Sequence, residues 1–73
     1  MIKIGIVGLG LVAQKAHLPS FANNPNVKIT AVCDLDNHKL KHISKKYKIK
    51  KLYLSIDKMI KKENFDGIVI ATN

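Results

Sequence analysis

The sequence contains no arginine and no tryptophan, and Cys33 is its only cysteine. A single cysteine excludes an intramolecular disulfide and a metal cluster held by thiolates, so the cytoplasm is the expected compartment. Cys33 lies in an apolar stretch beside Asp34, and an adjacent carboxylate raises the pKa of a thiol. We therefore expect a buried, unreactive side chain. The longest apolar run, residues 68–71, is too short to cross a bilayer, and no signal-peptide pattern is present.

The chain is strongly basic, with a formal net charge of +8 at pH 7 carried by 13 lysines. A basic protein can bind nucleic acid, but base recognition and bidentate phosphate binding favour arginine. Aromatic residues that would stack on bases make up only 5% of the chain. The absence of arginine and the low aromatic content disfavour a nucleic-acid-binding module. Ten of the lysines fall between positions 39 and 62, and we interpret them mainly as a solvated surface, with polyanion binding as the alternative.

The order of apolar segments and turns predicts one small α/β domain. Strands are predicted at residues 2–7, 27–33, 52–54 and 67–71, and helices at 11–23, 37–47 and 56–62. Strands that alternate with helices form a parallel sheet with right-handed crossovers. The doubly wound pattern gives the strand order 3-2-1-4, so the predicted fold is a partial doubly wound Rossmann fold. Its ligand should lie between the first and fourth strands.

Helix ends and helix faces are also predicted. Pro19 should kink the first helix or divide it in two, because proline clashes with the preceding turn. Asp36 is a suitable N-cap for the second helix and Ser55 for the third. The residues predicted to face the sheet are, in the first helix, Val12 and Ala16 before the proline and Phe21 and Ala22 after it. In the second helix they are Leu40, Ile43 and Tyr47, and in the third they are Ile56, Met59 and Ile60.

A glycine motif follows the first strand and carries the main functional signal. The segment Gly8-Leu-Gly-Leu-Val-Ala13 matches the pattern G-x-G-x-x-G/A. Gly8 permits a tight turn, Gly10 lets a pyrophosphate approach the backbone, and Ala13 lets the helix pack closely on the strand. The N–H groups that open the helix then face the phosphates. The predicted cofactor-binding residues of this loop are Gly8, Leu9, Gly10, Leu11 and Val12.

Asp34 ends the second strand, 21 positions after Ala13, where the fingerprint requires an acid for the adenosine ribose. A carboxylate accepts hydrogen bonds from a free ribose diol and repels a 2′-phosphate, so Asp34 favours NAD over NADP. His38 and Lys39 lie close enough to weaken that preference. Ala71 and Thr72, at the end of the fourth strand, complete the predicted cofactor site. The spacing of the histidines does not indicate a metal site.

Four segments resemble the start of the Gfo/Idh/MocA oxidoreductases: IGIVGLGLVAQ at 4–14, HLP at 17–19, AVCD at 31–34 and DGIVIAT at 66–72. The resemblance implies an N-terminal nucleotide-binding domain followed by a larger α/β substrate domain. It also implies hydride transfer between a nicotinamide cofactor and the CH–OH group of a sugar, cyclitol or related alcohol. Asn73 stands where the family usually has proline. The family's catalytic lysine, in a Glu-Lys-Pro motif, and its substrate residues lie beyond residue 73, so no catalytic residue is assigned here.

Residues 1–73 are thus interpreted as the N-terminal part of a dinucleotide-binding domain from an NAD-dependent oxidoreductase. The alternative is a stand-alone nucleotide-sensing or regulatory module without catalysis. With only one half of a dinucleotide site, we expect weak cofactor binding and no turnover. The apolar fourth strand should form an exposed edge, which favours self-association.

Overall fold

The computed structural model describes residues 1–71 as a four-stranded parallel sheet flanked by helices. The elements are β1 (Ile2–Val7), a π-helical turn (Ala13–His17), α1 (Leu18–Ala22), β2 (Val27–Cys33), α2 (Asn37–Tyr47), β3 (Lys51–Tyr53), α3 (Ile56–Lys62) and β4 (Gly67–Ile70). The strand order is β3-β2-β1-β4, and each neighbouring pair is parallel. The predicted α/β class and the order 3-2-1-4 are confirmed. In the described part of the chain, no helix is long and apolar enough to span a membrane.

The sheet separates two apolar layers. The larger layer is formed by buried residues of β1, β2, α1, α2, the glycine loop and the segment after α2, namely Ile4, Ile6, Leu9, Leu18, Val32, Leu40, Ile43 and Ile49. The smaller layer lies under α3 and contains Ala31, Cys33 and Met59. Burying a leucine or isoleucine side chain fully contributes roughly 1.5–3 kcal/mol, so the larger layer supplies most of the stabilisation. The predicted inner face of α2 is confirmed.

The first helical segment differs from its prediction because of a π-helical turn before Pro19. The Leu18 N–H donates to the Ala13 carbonyl five residues earlier, and Pro19 then occupies the first turn of α1. Proline has no N–H to donate to the preceding turn, so the regular helical hydrogen-bond pattern is interrupted at Pro19, and the wider π-helical turn leads into α1 there. The wider turn rotates the side chains that follow. Ala13 and Leu18 are buried as a result, whereas Ala16 is exposed.

Two other predicted packing residues of this helical segment are also exposed. Val12 is 58% exposed, and Ala22, which we expected to pack with Phe21, lies on the surface. Phe21 does pack against the larger apolar layer. The helix therefore contacts the sheet through a face shifted from the one that a regular α-helical period predicts.

Caps define the ends of α2. The Asp36 carboxylate accepts hydrogen bonds from the backbone N–H groups of His38 at 2.9 Å and Lys39 at 3.4 Å, which confirms it as the N-cap. Lys48 ends the helix in the left-handed region at φ 56°, and its N–H donates to the Ser44 carbonyl. This exposed lysine holds a conformation that glycine or asparagine adopts more readily.

One prediction for α3 is confirmed in part, and another is wrong. Ser55 occupies the N-cap position, but its side chain makes no capping hydrogen bond. Ile60 is 50% exposed, although we expected it to face inward with Ile56 and Met59. Met59 is fully buried and lies at the centre of the face that α3 presents to the sheet. Ile60 follows it by about 100° around the helix axis, so it points past the edge of the contact.

A close contact at β1 was not predicted. A Cβ atom at Gly5 would lie 2.9 Å from Cε1 of Phe65 and 3.3 Å from Cε of Met59. Glycine at this position therefore lets the aromatic ring pack directly on the strand. On the neighbouring strand, Thr30 is bypassed in the pairing with β1, and its hydroxyl donates to the Ile4 carbonyl at 3.0 Å.

Candidate functional site

The glycine loop, the end of β2 and the end of β4 meet at the carboxyl edge of the sheet. They enclose a cavity of about 230 Å³. It is lined by Gly8, Gly10, Leu11, Val12, Asp34, Lys39 and Ala71. Six of these residues were predicted from the sequence to bind the cofactor, and the seventh, Lys39, was predicted to influence cofactor choice. The structure brings them together as expected at the edge between β1 and β4.

Gly8 and Gly10 have different local requirements. Gly8 has φ 93°, a conformation that residues with a side chain rarely adopt, and its N–H donates to the Cys33 carbonyl at 2.8 Å. This bond joins the loop to the end of β2. A Cβ at Gly10 would meet no atom within 4 Å, so no contact within the described chain requires glycine there. The open space lies on the side of the cavity, where a ligand could approach the backbone.

Asp34 links the glycine loop to the start of α2. Its Oδ2 accepts a hydrogen bond from the Leu9 N–H at 2.7 Å, and its Oδ1 accepts one from the Asp36 N–H at 2.8 Å. The Asp34 N–H donates to the Tyr53 carbonyl at 3.2 Å. Each oxygen of an ionised carboxylate can accept about two hydrogen bonds. Both oxygens therefore retain an acceptor site for a hydroxyl group of a ligand.

The loop residues contribute in unequal ways. The Leu9 side chain is fully buried in the larger apolar layer, its N–H is bonded to Asp34, and its carbonyl accepts from Nε2 of Gln14 at 2.8 Å. Leu11 and Val12 are 66% and 58% exposed and border the cavity. Leu9 consequently fixes the loop, whereas the backbone at Leu11 and Val12 opens the helix next to the cavity.

The end of β4 supplies the far wall of the cavity. Ala71 is half-buried, and its N–H donates to the Val7 carbonyl at 2.7 Å. This bond continues the β1–β4 pairing to the carboxyl edge of the sheet. Thr72, the last residue of the predicted site, lies outside the described residues, as does Asn73.

A second, mainly apolar cavity of about 300 Å³ lies on the other side of Asp34. Its walls include Leu35 and Leu54, which follow the ends of β2 and β3 and are 90% and 55% exposed. Sequence reasoning did not identify these leucines as site residues. Their position within two residues of the carboxyl ends of two parallel strands is the signal that could have indicated them. A flat apolar ring fits such a surface better than a charged group does.

The remaining candidate residues have structural surroundings. Cys33 is 4% exposed, and burial together with the Asp34 carboxylate raises the pKa of its thiol, as expected for an unreactive cysteine. The His17 ring stacks on Phe21 with the ring centroids 6.4 Å apart. Within residues 1–71, no group of three histidine, cysteine or acidic side chains could hold a metal ion.

Comparison with known proteins identifies the family. The family model for Gfo/Idh/MocA, described as an oxidoreductase family with an NAD-binding Rossmann fold, matches residues 2–73. The chain belongs to the Gfo/Idh/MocA oxidoreductase family. The predicted resemblance is thus confirmed, and with it a dehydrogenase-type NAD-binding domain. The comparison with curated proteins finds no significant match.

Solved structures of this family superimpose closely on the chain. An oxidoreductase from Agrobacterium radiobacter, in complex with NAD+, L-tartaric acid and magnesium, is 25% identical over 99% of the chain with a TM-score of 0.91. Scyllo-inositol dehydrogenase from Lactobacillus casei, with NAD(H) and scyllo-inositol, is 26% identical over 100% with a TM-score of 0.91. Myo-inositol 2-dehydrogenase from Lactobacillus plantarum is 29% identical over 99% with a TM-score of 0.90. The chain spans only 21%, 22% and 21% of these three proteins, respectively.

Proposed function

We propose that residues 1–73 form the adenosine and pyrophosphate half of the cofactor site of an NAD-dependent dehydrogenase. Its substrate would be the CH–OH group of a sugar, cyclitol or related alcohol. The observation that carries the proposal is the direct hydrogen bond between Asp34 and the backbone of the glycine loop. It holds an acid beside a loop whose helix opens toward the same cavity, as binding of a ribose next to a pyrophosphate requires.

Each part of the adenosine and pyrophosphate half of the cofactor has a matching surface. The pyrophosphate would lie over the backbone of Gly10, Leu11 and Val12, with Lys39 supplying a positive charge in the same cavity. The ribose hydroxyls would donate to the acceptor sites that Asp34 retains. The adenine ring would enter the apolar cavity beyond Asp34. When bound, the nicotinamide group would accept or supply the hydride, and residues outside this chain would orient the alcohol.

The cofactor preference depends on the charge at Asp34. The Asp34 carboxylate would repel a 2′-phosphate on the adenosine ribose, whereas it would accept a hydrogen bond from a free 2′-hydroxyl. Lys39 borders the same cavity and opposes this preference. However, both oxygens of Asp34 accept backbone N–H groups and so have a fixed position, which a flexible lysine lacks. These contacts support NAD as the cofactor.

The substrate class rests on similarity. Two of the similar structures are dehydrogenases of scyllo-inositol and myo-inositol, which are cyclitols. The chain corresponds to about a fifth of those proteins, so the catalytic lysine and the substrate domain that we expect would belong to a longer polypeptide. Submicromolar NAD affinity of residues 1–73 alone, or alcohol-dependent NADH formation by them, would contradict this division of the site.

The cofactor proposal can be tested by titrating the chain with NAD and NADP in parallel. Asp34→Asn removes the charge and keeps an acceptor oxygen. We expect about tenfold weaker NAD binding and a smaller difference between the two cofactors, since a hydrogen bond to a charged group contributes about 1.5–3 kcal/mol. Asp57→Asn is the matched control, because Asp57 is an exposed acid on α3 that borders neither cavity. Equal losses in both variants, or wild-type preference for NADP, would refute the role of Asp34.

A further inference from the structure

Three lysines lie on neighbouring strands near their amino ends, at the edge of the sheet opposite to the cofactor cavity. Lys3 is on β1, Lys28 on β2 and Lys51 on β3, and we call this set the lysine row. Lys3 and Lys28 are direct partners in the β1–β2 pairing. Lys51 begins β3 opposite Ala31. All three side chains are exposed.

The lysine row lies on the face of the sheet that carries α3. Side chains alternate between the two faces of a strand. Ile4, Ile29 and Leu52, each adjacent in sequence to a lysine of the row, belong to or pack against the larger apolar layer on the opposite face. Gly5 and Tyr53, each two residues after a lysine, contact or pack with the α3 layer. The α3 helix thus covers the middle of this face and leaves the lysine row uncovered.

These lysines line one groove of about 360 Å³. Lys48 and Lys50, from the segment between α2 and β3, also border it, so five lysines line the space. Glu63 is the single acid on its wall, and its carboxylate already accepts a hydrogen bond from the Tyr53 hydroxyl. Asp66 lies next to β1, where its Oδ2 accepts the Lys3 backbone N–H at 2.7 Å. The groove is therefore strongly positive.

Like charges directly opposite each other on neighbouring strands destabilise a sheet. Lys3 and Lys28 are such a pair, and the apolar layers do not require lysine at these exposed positions. An anion bound between the strands would relieve the repulsion. We propose that the lysine row and its groove bind a compact anion that carries several phosphate groups.

The groove favours a compact phosphate compound over nucleic acid. Neighbouring strands are about 4.8 Å apart, and Lys51 lies two residues further along the sheet than Lys3, so the lysine row spans roughly 12 Å. A volume of this size is typical of small-molecule sites. Ammonium groups bind phosphate as point charges without the planar geometry of arginine. No aromatic side chain lines the groove for stacking on a base. The site is distinct from the cofactor cavity, with which it shares no lining residue.

The proposal can be tested by calorimetric titration of the protein with inorganic tripolyphosphate at low salt. The combined substitutions Lys3→Gln, Lys28→Gln and Lys51→Gln should weaken binding about tenfold or more, because three ion contacts are lost. The control is Lys41→Gln, Lys45→Gln and Lys58→Gln, which removes the same charge from exposed positions outside the groove and should change binding less than about threefold. Circular dichroism checks that each variant is folded.

A second measurement does not depend on any variant. In heteronuclear NMR spectra of the wild type, tripolyphosphate should shift the amide signals of Lys3, Lys28 and Lys51 at lower concentration than those of Gly8 and Gly10. Equal loss of binding in the two triple variants, or shifts that appear first in the glycine loop, would overturn the proposal. Tighter binding of a twelve-nucleotide single strand than of tripolyphosphate, when the two are compared per phosphate, would also overturn it in favour of nucleic acid.

Discussion

Asp34 should stabilise the protein even without a cofactor, because its carboxylate joins two segments of the chain. The substitution Asp34→Ala removes the hydrogen bonds at 2.7 Å to Leu9 and at 2.8 Å to Asp36. The Leu9 bond is partly buried, so its loss, which leaves an N–H without its partner, should cost about 1.5–3 kcal/mol. The Asp36 bond is exposed and should contribute about 0.5–1 kcal/mol. The expected total is about 2–4 kcal/mol.

A loss of this size is large for a domain of this length. One kcal/mol lowers the Tm of a domain of 60–100 residues by about 4–8 °C, so a loss of about 2–4 kcal/mol in Asp34→Ala should lower it by roughly 8–32 °C. Thermal unfolding followed by far-UV circular dichroism measures the effect. Asp34→Asn keeps an acceptor oxygen and should lose about half as much. Asp57→Ala, an exposed acid in the first turn of α3, should lose less than about 1 kcal/mol.

The outcome separates two roles of the same side chain. If Asp34→Ala melts within about 2 °C of the wild type, the hydrogen bonds to the loop do not hold it, and Asp34 would serve the ligand alone. If the variant is destabilised as expected, part of any loss in NAD affinity arises from a disordered glycine loop. Asp34→Asn keeps one acceptor oxygen, so the comparison of its NAD and NADP affinities at equal stability loss reports the effect of the charge on cofactor choice.

Two further predictions concern packing and pH. Gly5→Ala should lower the free energy of unfolding by about 1–3 kcal/mol in urea titrations, because the added methyl group overpacks the ring of Phe65. The control is Gly67→Ala, where a Cβ meets no atom within 4 Å. Equal effects of the two substitutions would contradict the contact between Gly5 and Phe65. The hydrogen bond to Glu63 raises the pKa of Tyr53 above its ordinary 10.0, as do burial and the charge of Glu63. Because the folded-state pKa is the higher one, this stabilisation should be present below pH 10 and lost as the pH rises through the folded-state pKa. In Tyr53→Phe, the free energy of unfolding should fall less steeply as the pH rises above about 10. An unchanged dependence of stability on pH would contradict the role of the Tyr53 hydrogen bond.

The features that the sequence predicted well depend on short spacing. The glycine motif, its helix and Asp34 fall within 27 residues, and their order alone indicates a β-α-β unit with a phosphate-binding turn. Gly8 has the positive φ that its position in the motif requires. The apolar face of α2 follows the helical period, and Asp36 caps it. Each of these features is specified by residues close to it in the chain.

The features that were missed depend on contacts between distant residues. Phe65 packs on Gly5 although the two are 60 residues apart in the sequence, and no local sequence pattern predicts such a contact. The π-helical turn before Pro19 rotates the helix, so Ala16 faces solvent. The lysine row arises only once the register of three parallel strands is known. The pairing that bypasses Thr30 contributes to that register.

The edge of β4 should make residues 1–73 self-associate, and we propose this as a property of the chain in solution. Within the described residues β4 pairs only with β1, so its other side presents unpaired backbone groups. Ile70 is 65% exposed at this edge. Sedimentation velocity should show concentration-dependent dimers that Ile70→Lys weakens, because a charge at an edge opposes pairing. Leu35→Lys, which changes an equally apolar and more exposed residue at the carboxyl end of β2, should leave the dimers intact. A monomer at millimolar concentration, or equal effects of the two substitutions, would show that the edge does not drive association.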